Sequence, residues 1–247
     1  ASAFGFTAHP EPFAIDTQPL VLAFEPAPRE TTPLLSAIVE RQTVRAAYDG
    51  RPVAAEDMKA LAVAGTMPGV DCLLLTDHQR VNAIIEFVVQ GNAHQMLDAA
   101  FMRELTAWIR FSKTQAAATG DGLFAASSGN PTMPDWLGRR LLPLVFTEKA
   151  ENAKYAQHIG SSSGIAVFSS ARDDAAHWIA AGRACQRFAL QATALGLKLA
   201  FINQPVEVPH LRRQLATYLG LGARRADLIV RFGHGPSLPR SLRRPLA

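Results

Sequence analysis

Residues 182–197 read GRACQRFALQATALGL, and no other stretch of the chain constrains the architecture as much. The small residues in and just before it are Ala180, Gly182, Ala184 and Ala192. The helical spacing of apolar side chains predicts a long helix over residues 173–195, with Gly196 as its C-terminal stop. Small side chains allow another element to approach the helix axis closely. We therefore expect a central helix packed on a neighbour, within the chain or across a dimer.

Short apolar runs on either side of this helix are typical of buried strands. We predict strands at residues 164–168, 199–202 and 228–232, with earlier ones at 20–24 and 72–76. Helices are predicted at residues 34–48, 54–64, 136–146, 150–158 and 208–218, and one over 78–110 that breaks or kinks near Gly91 and Asn92. Strands that alternate with helices indicate a layered α/β or α+β domain.

Composition narrows the classes of function. The 247 residues are 48% hydrophobic and 19% charged, with a formal charge of +4, and contain no apolar run long enough for a membrane-spanning helix. Cys72 and Cys185 lack partners at metal-ligand spacing, so we expect core thiols and no metal site. The positive charge is mostly arginine without interleaved aromatic residues, which favours a small anionic ligand over nucleic acid.

Motifs for catalysis by side chains alone are missing from the sequence. It contains no Gly-x-Ser-x-Gly elbow, Walker loop, His-Glu-x-x-His pair or Gly-x-Gly-x-x-Gly fingerprint. If the protein is an enzyme, we expect a bound cofactor to supply the reactive atoms.

Residues 41–45, which read RQTVR, are candidates for an anion site. In the predicted helix, Arg41 and Arg45 lie one turn apart on one face, with Thr43 near the same end. Two guanidinium groups and a hydroxyl suit a phosphate, because charge-assisted bidentate hydrogen bonds are strong. A solvated helix face with Glu40 as the ion-pair partner fits the same spacing.

Two further segments carry residue types that bind ligands. Residues 203–209 read NQPVEVP and follow a predicted strand, so their backbone amides could meet the polar edge of a planar ring. They could equally form an ordinary connector. Residues 240–246 read RSLRRPL, which is either a second cationic cluster held extended by Pro239 and Pro245 or a frayed basic tail.

These motifs follow the order found in the FMN-dependent nitroreductase family. Residues 41–45 and the turn YDGRPV at 48–53 resemble its opening Arg-x-Ser/Thr-x-Arg helix, residues 182–197 its central helix, and SLRRPL at 241–246 its closing basic motif. NQPVE at 203–207 and DGLF at 121–124 look closest to the Acg-like branch, whose members are internally duplicated. The resemblance covers about residues 28–247 and implies an α+β, nitroreductase-like three-layer fold with a central mixed sheet flanked by helices.

The resemblance also implies an FMN site between two subunits or two repeats. The matching cofactor-binding residues are Arg41, Gln42, Thr43, Arg45, Pro205, Val206, Glu207, Arg243 and Arg244. Of these, Arg41, Thr43 and Arg45 would hold the phosphate and ribityl chain, and Arg243, with Arg244 as the alternative, would close the phosphate site. Residues 205–207 match a Pro-Ile-Glu stretch that packs on the isoalloxazine and offers a backbone amide to it. The family's Ala-Pro-Ser-x-x-Asn-x-Gln-Pro-Trp segment, which lines the flavin, has no match here.

The implied function is an oxidoreductase that passes hydride from NAD(P)H through FMN to nitroaromatic or quinone acceptors. The alternatives are a flavin-binding or flavin-sequestering protein with little or no turnover, and a homologue that has lost FMN. Residues 1–33 are expected to be an extended lead-in that resembles the tail of a first repeat. Residues 34–247 are expected to form the FMN-binding domain, with a lid-like insertion around 112–134.

The expected partners are a small-molecule electron acceptor and a second copy of the chain, with neither nucleic acid nor a membrane. Unpaired cysteines are compatible with a reducing cytoplasm, which is the expected location. The N-terminal Ala1 leaves room for an export signal that has been removed.

Overall fold

The structure is a computed structural model that describes residues 1–10 and 21–241. The strands are β1 Phe6–Pro10, β2 Leu22–Pro26, β3 Val70–Leu75, β4 Ile109–Arg110, β5 Leu123–Phe124, β6 Gly164–Ser170, β7 Lys198–Phe201 and β8 Arg225–Gly233. The helices are α1 Leu34–Glu40, α2 Ala55–Gly65, α3 His78–Leu97, α4 Ala99–Trp108, α5 Lys113–Thr119, α6 Asp135–Val145, α7 Glu148–Gly160, α8 Ala175–Ala194, α9 Gln204–Glu207 and α10 Pro209–Tyr218. Short 3-10 turns occur at Ser2–Phe4 and Ala125–Ser128.

The central sheet has the strand order β3-β6-β8-β7, with antiparallel neighbours throughout. Thr43 adds a parallel bridge to Leu199 on the free side of β7, and the Val44 N–H donates to the Leu199 carbonyl over 2.9 Å. The sheet is therefore mixed at this edge. Strand β3 lies at the opposite edge and is only partly buried, because the apolar run at 72–76 has a neighbouring strand on one side only.

Helices cover both faces of the sheet and give the three layers that the resemblance implied. On one face, α2 and α8 pack around Phe168, Phe188 and Phe232, whose rings meet edge to face with successive centroids 5.6 Å apart. On the other face, α3, α7 and α10 enclose a second core that includes Ile84 and Ile159. The predicted α+β class and its layer order are confirmed.

Helix α8 is the long helix predicted from residues 182–197. Asp174 caps its start by accepting from the His177 N–H at 2.9 Å, and Gly196 follows its end with a φ of 72°. Ala184 and Ala192 are fully buried, as the small-residue pattern predicted. Gly182 faces open space. On its other sides α8 packs against α1, α2 and the sheet.

Helix α1 ends at Glu40, so the prediction of a helix to residue 48, with Arg41 and Arg45 one turn apart, is wrong. The backbone beyond it is held by Arg231, which is 2% exposed. Its guanidinium donates to the carbonyls of Val44 and Ala46 over 3.1 and 2.8 Å. A helix would use those carbonyls internally and leave a buried cation short of acceptors, so the extended course is favoured.

Helix α3 runs through Gly91 and Asn92 without the predicted break. The break comes at Asp98, which accepts from the N–H groups of Ala100 and Phe101 and so caps α4. Gly91 has a packing role instead: a Cβ there would lie 2.7 Å from the carbonyl carbon of Gln204. The glycine marks a close helix approach and not a helix end.

Residues 99–147 form an insertion between α3 and α7 that contains α4–α6 and the parallel pair β4-β5. The stretch at 112–134, which the sequence predicts to be a lid-like insertion, contains α5, β5 and a 3-10 turn. Arg110, 8% exposed, ties it together by donating to Asp121 over 2.8 Å and to the Thr119 hydroxyl over 3.2 Å. Helical periodicity is hard to recognise in a seven-residue, alanine-rich helix such as α5.

The lead-in forms an exposed antiparallel pair of β1 with β2, which pairs Phe6 with Pro26 and Pro10 with Leu22. Strand β2 agrees with the strand predicted at 20–24, of which Leu20 lies outside the described residues. Within residues 1–10 and 21–241, no helix has the length and apolar character needed to cross a membrane. In the same ranges, no three His, Cys, Asp or Glu side chains gather as they would around a metal ion.

Candidate functional site

A cavity of about 360 Å³ opens where β7 ends, between the sheet, α3, α7 and the insertion. Its volume lies within the range of about 300–1,000 Å³ that is usual for small-molecule sites. The insertion contributes an apolar wall with Phe101, Leu105 and Phe146. Polar side chains from α3, α7 and α9 line the other side. An apolar wall facing a few polar groups suits a flat, partly polar ligand.

Within the segment 203–209, residues Gln204–Glu207 form the one-turn helix α9. The N–H groups of Val206 and Glu207 both donate to the Asn203 carbonyl, over 2.8 and 3.1 Å. These two amides are therefore engaged within the turn, contrary to the expectation that they are free to meet a ring. Pro205 favours the first helical turn, and Pro205 and Val206 are buried behind it.

Glu207 projects from α9 into the cavity lining. The Gln95 amide of α3 donates to its carboxylate. This contact fixes the direction of an exposed acid across the mouth of the cavity. Of the three residues predicted at 205–207, only Glu207 reaches the cavity.

Two oxygen atoms in the cavity wall have no hydrogen-bond partner within residues 1–10 and 21–241. They are Gln204 Oε1 and Ser128 Oγ. The residues are only 8% and 4% exposed. Buried polar atoms are almost always satisfied, so two in one cavity indicate a place for a ligand or for water.

Only one of the two predicted arginines is part of the cavity lining. Arg45 is exposed and lines the cavity. Arg41 is partly buried near Cys185, where its charge opposes the effect of burial, which raises the pKa of that thiol to about 12. Neither arginine forms an ion pair in the described part of the chain, so the alternative partner Glu40 is not used.

Gln42 anchors the C-terminal segment. Its amide donates to the carbonyls of Leu238 and Pro239 over 2.8 and 3.1 Å, and it accepts from the Leu238 N–H. Arg240 donates to the Glu40 carbonyl at 2.9 Å, and Ser241 meets the Ser127 hydroxyl at 3.0 Å. The chain is thus led from the end of α1 toward the insertion. The predicted Arg243 and Arg244 lie outside the described residues.

Ionisable groups on α7 border the polar side of the cavity. Burial raises the pKa of Tyr155, an effect that Glu151 adds to and that Arg45 and a hydrogen bond from Gln204 oppose. Burial, with the charges of Arg231 and Lys154, lowers the pKa of His158 to about 4. His158 is therefore a neutral ring at pH 7. Lys154 donates to Asn130 of the insertion over 3.0 Å.

Sequence reasoning missed several residues of this wall, among them Gln95, Ser128, Tyr155 and Arg231. Arg231 had a signal, since it interrupts the apolar strand LIVRF at 228–232 and a buried arginine needs acceptors. The others had none, because α3, α7 and the 3-10 turn meet only in the folded chain. Thr43 enters the sheet edge and is not part of the cavity lining.

Comparison with known proteins identifies the fold. No protein-family model matches the chain. Two Mycobacterium tuberculosis proteins that carry the name NAD(P)H nitroreductase, from strains CDC 1551 and H37Rv, are each 27% identical over 219 residues. These matches cover 87% of this chain and 60% of each relative, so the chain spans about three fifths of their length.

Solved nitroreductase structures share the architecture. A Bacteroides fragilis nitroreductase with bound FMN is 17% identical with a TM-score of 0.52, covering 85% of this chain and 93% of its own. A Desulfitobacterium hafniense nitroreductase with bound FMN is 13% identical with a TM-score of 0.54, covering 87% and 95%. The FMN-dependent nitroreductase NfnB of Mycobacterium smegmatis, solved with NADPH, is 15% identical with a TM-score of 0.52, covering 84% and 93%.

At these identities the structural similarity concerns the fold, and the fold is that of the nitroreductases. The two sequence relatives and these solved structures carry the same family name, nitroreductase.

Proposed function

We propose that this chain is a nitroreductase-type flavoprotein that binds FMN and uses NAD(P)H to reduce nitroaromatic or quinone acceptors. The observation that carries the proposal is the cavity beside β7, whose wall contains two buried oxygen atoms without a hydrogen-bond partner in the described ranges. The fold that forms this cavity is shared with structures that contain FMN. We place the chain in the Acg-like branch. The partial coverage of its longer relatives supports this, since a duplicated protein would be matched over one of its parts.

The residues present fit a flavin in chemical terms. Its tricyclic ring is flat and apolar on both faces, which suits the wall of Phe101, Leu105 and Phe146. Its polar edge carries carbonyl and N–H groups, which suits the unsatisfied oxygen atoms of Gln204 and Ser128. Arg45 supplies a cation without a carboxylate partner in the described ranges, which suits a phosphate.

Bound FMN would supply the redox chemistry, taking hydride from NAD(P)H and giving it to the acceptor. The chain's own residues bind, orient and exclude water. In this proposal Arg45 contacts the phosphate at the cavity wall. Arg41 and Thr43, which are outside the cavity lining, hold the part of the phosphate and ribityl chain that extends beyond the cavity, and Arg243, or Arg244, closes that end. The α9 turn with Pro205, Val206 and Glu207 lies beside the ring. Gln42 acts indirectly, by holding the C-terminal segment that leads to the last arginines.

The second candidate is a protein that retains FMN with little or no turnover. The insertion favours this second candidate, because Ala125, Ser128 and Asn130 of the same chain line the cavity. A Cβ on Gly129 would lie 3.2 Å from the Arg45 carbonyl, and Asn130 binds Lys154. A segment that is packed this closely and held by the Lys154–Asn130 hydrogen bond slows cofactor release and also limits access by NAD(P)H and acceptors. We also propose that the chain forms a homodimer and is located in the cytoplasm. The free thiols of Cys72 and Cys185 support the cytoplasmic location.

The first test is the visible spectrum of the protein purified without added cofactor, followed by heat release and identification of the chromophore. We expect FMN. Replacing both Arg41 and Arg45 by Ala should weaken FMN binding at least tenfold, as expected when charge-assisted hydrogen bonds are lost. Unchanged FMN affinity in this variant would refute the phosphate site.

Turnover separates the two candidates. FMN-loaded protein is mixed with NADH or NADPH and either a nitroaromatic compound or a quinone, and oxidation is followed at steady state. Sustained oxidation supports the reductase. Retained flavin that neither reductant reduces supports the sequestering protein.

A further inference from the structure

Gln204 occupies a special position in the cavity wall. Its side chain is 8% exposed, and its amide oxygen Oε1 has no hydrogen-bond partner within residues 1–10 and 21–241. An amide has two faces of opposite character, one that donates and one that accepts. Gln204 and Tyr155 both line the cavity, and a hydrogen bond from Gln204 is one of the effects that oppose the burial-raised pKa of Tyr155. The acceptor atom Oε1 is therefore unpartnered in a residue that lines the cavity.

The backbone leaves Gln204 little freedom to move away. It opens the α9 turn, which Asn203 fastens to the sheet by accepting from the Ile229 N–H over 2.9 Å. Behind it, Gly91 of α3 comes so close that an added Cβ would lie 2.7 Å from the Gln204 carbonyl carbon. A buried acceptor held in this way selects a ligand that brings a donor, because an unpaired buried acceptor is costly.

We propose that Gln204 Oε1 accepts a hydrogen bond from a ring N–H of the cavity's ligand, and that this donor is the N3–H of the flavin pyrimidine ring. The inference rests on the proposed function. The flavin pyrimidine edge is an imide, with one N–H between two carbonyls, and an amide acceptor is complementary to that N–H. The carboxamide of nicotinamide also carries N–H donors, so the experiment separates the two sources.

The experiment compares FMN with N3-methyl-FMN, in which the donor is replaced by a methyl group. Apo-protein is titrated with each, and the quenching of flavin fluorescence gives two dissociation constants. For the unaltered protein we expect N3-methyl-FMN to bind about tenfold more weakly, as for a buried hydrogen bond that is lost. In Gln204→Met, which keeps the side-chain length, and Gln204→Ala, which opens space for the methyl group, the two flavins should bind within about twofold of each other.

Three matched variants complete the set. Ser128→Ala removes the other unpartnered oxygen and should weaken both flavins equally, which leaves their ratio unchanged. Tyr155→Phe removes a phenol that also lines the cavity and should preserve the ratio. Gln90→Met changes an exposed glutamine on α3 that is not part of the cavity lining and should change nothing.

Several results would overturn the proposal. One is equal binding of the two flavins to the unaltered protein, and another is a tenfold preference that survives in Gln204→Ala. A third is loss of the preference in Ser128→Ala. A fourth is weaker binding of NADPH to FMN-loaded Gln204→Met while the flavin ratio stays intact, which would assign the acceptor to the nicotinamide. If neither flavin binds the unaltered protein, the proposed function itself falls.

Discussion

At the scale of single residues, the role of a helical glycine in this chain depends on how close the neighbouring atoms lie. Gly91 and Gly182 both lie inside long helices, α3 and α8. A Cβ on Gly91 would meet the Gln204 backbone at 2.7 Å, whereas a Cβ on Gly182 would meet nothing within 4 Å. Identical residues in similar local structure therefore have opposite expected effects on substitution.

We predict that Gly91→Ala destabilises the protein by about 1–3 kcal/mol, the usual cost of overpacking, and weakens flavin binding by displacing Gln204. Gly182→Ala should instead raise the free energy of unfolding by about 0.5–1 kcal/mol, since alanine is the better helix former. Urea unfolding of both variants measures this. Equal changes in the free energy of unfolding for the two variants would show that α3 does not approach Gln204 this closely.

The ring of His158 makes stability depend on pH. Its folded-state pKa is lowered to about 4, below the ordinary 6.5, because burial and the charges of Arg231 and Lys154 disfavour the imidazolium. Between these two pH values the unfolded chain binds more protons than the folded one, so stability falls as the pH drops through this window. We expect His158→Gln to lose less unfolding free energy than the unaltered protein between pH 7 and pH 4.5. Parallel losses in the two proteins would contradict the assignment.

At the scale of elements, the C-terminal segment is held by one side chain from the segment after α1. Gln42 makes three hydrogen bonds to residues 238–239. We predict that Gln42→Leu frees this segment, so that hydrogen exchange at 238–241 speeds up and flavin affinity falls several-fold, about the value of one to two hydrogen bonds. Gln90→Leu is the exposed control. Loss of affinity without faster exchange would mean that Gln42 contacts the flavin directly.

At the scale of the whole molecule, apolar surface remains uncovered on α1, α2 and α8. Exposed side chains there include Val39, Val63 and Trp178. Because α1 and α2 both pack on α8, these helices form one side of the molecule, and the proposed homodimer would cover such a surface.

We therefore predict a mass near twice the 26.6 kDa of one chain in sedimentation experiments on the FMN-loaded protein. Val63→Asp should shift the mass to that of one chain, because a buried unpaired carboxylate opposes association. Leu97→Asp, at an exposed site at the end of α3, is the control that should leave the mass unchanged. A single-chain mass for the unaltered protein would remove the homodimer from the proposal.

The periodicity of apolar residues and the order of the motifs along the chain were sufficient to predict much of the architecture. The helix over residues 173–195, the strands at 164–168, 199–202 and 228–232, and the layered α+β class could all be read from local patterns, because each buries one continuous apolar face. The ordered motifs also pointed to the nitroreductase fold. The end of α1 could not be read this way, since it depends on Arg231, which lies almost two hundred positions further along the chain.

Some residues of the candidate site could likewise be predicted from the sequence, and others could not. Arg45 and Glu207 were identifiable, since both lie in short motifs whose residue types suit an anion and a ring. The cavity itself joins Gln95, Ser128, Tyr155 and Gln204, which four separate elements bring together. No spacing along the chain encodes that meeting. Whether an amide oxygen has a hydrogen-bond partner within the chain depends on distances between atoms that are remote in sequence. Only the packing of the layers sets those distances.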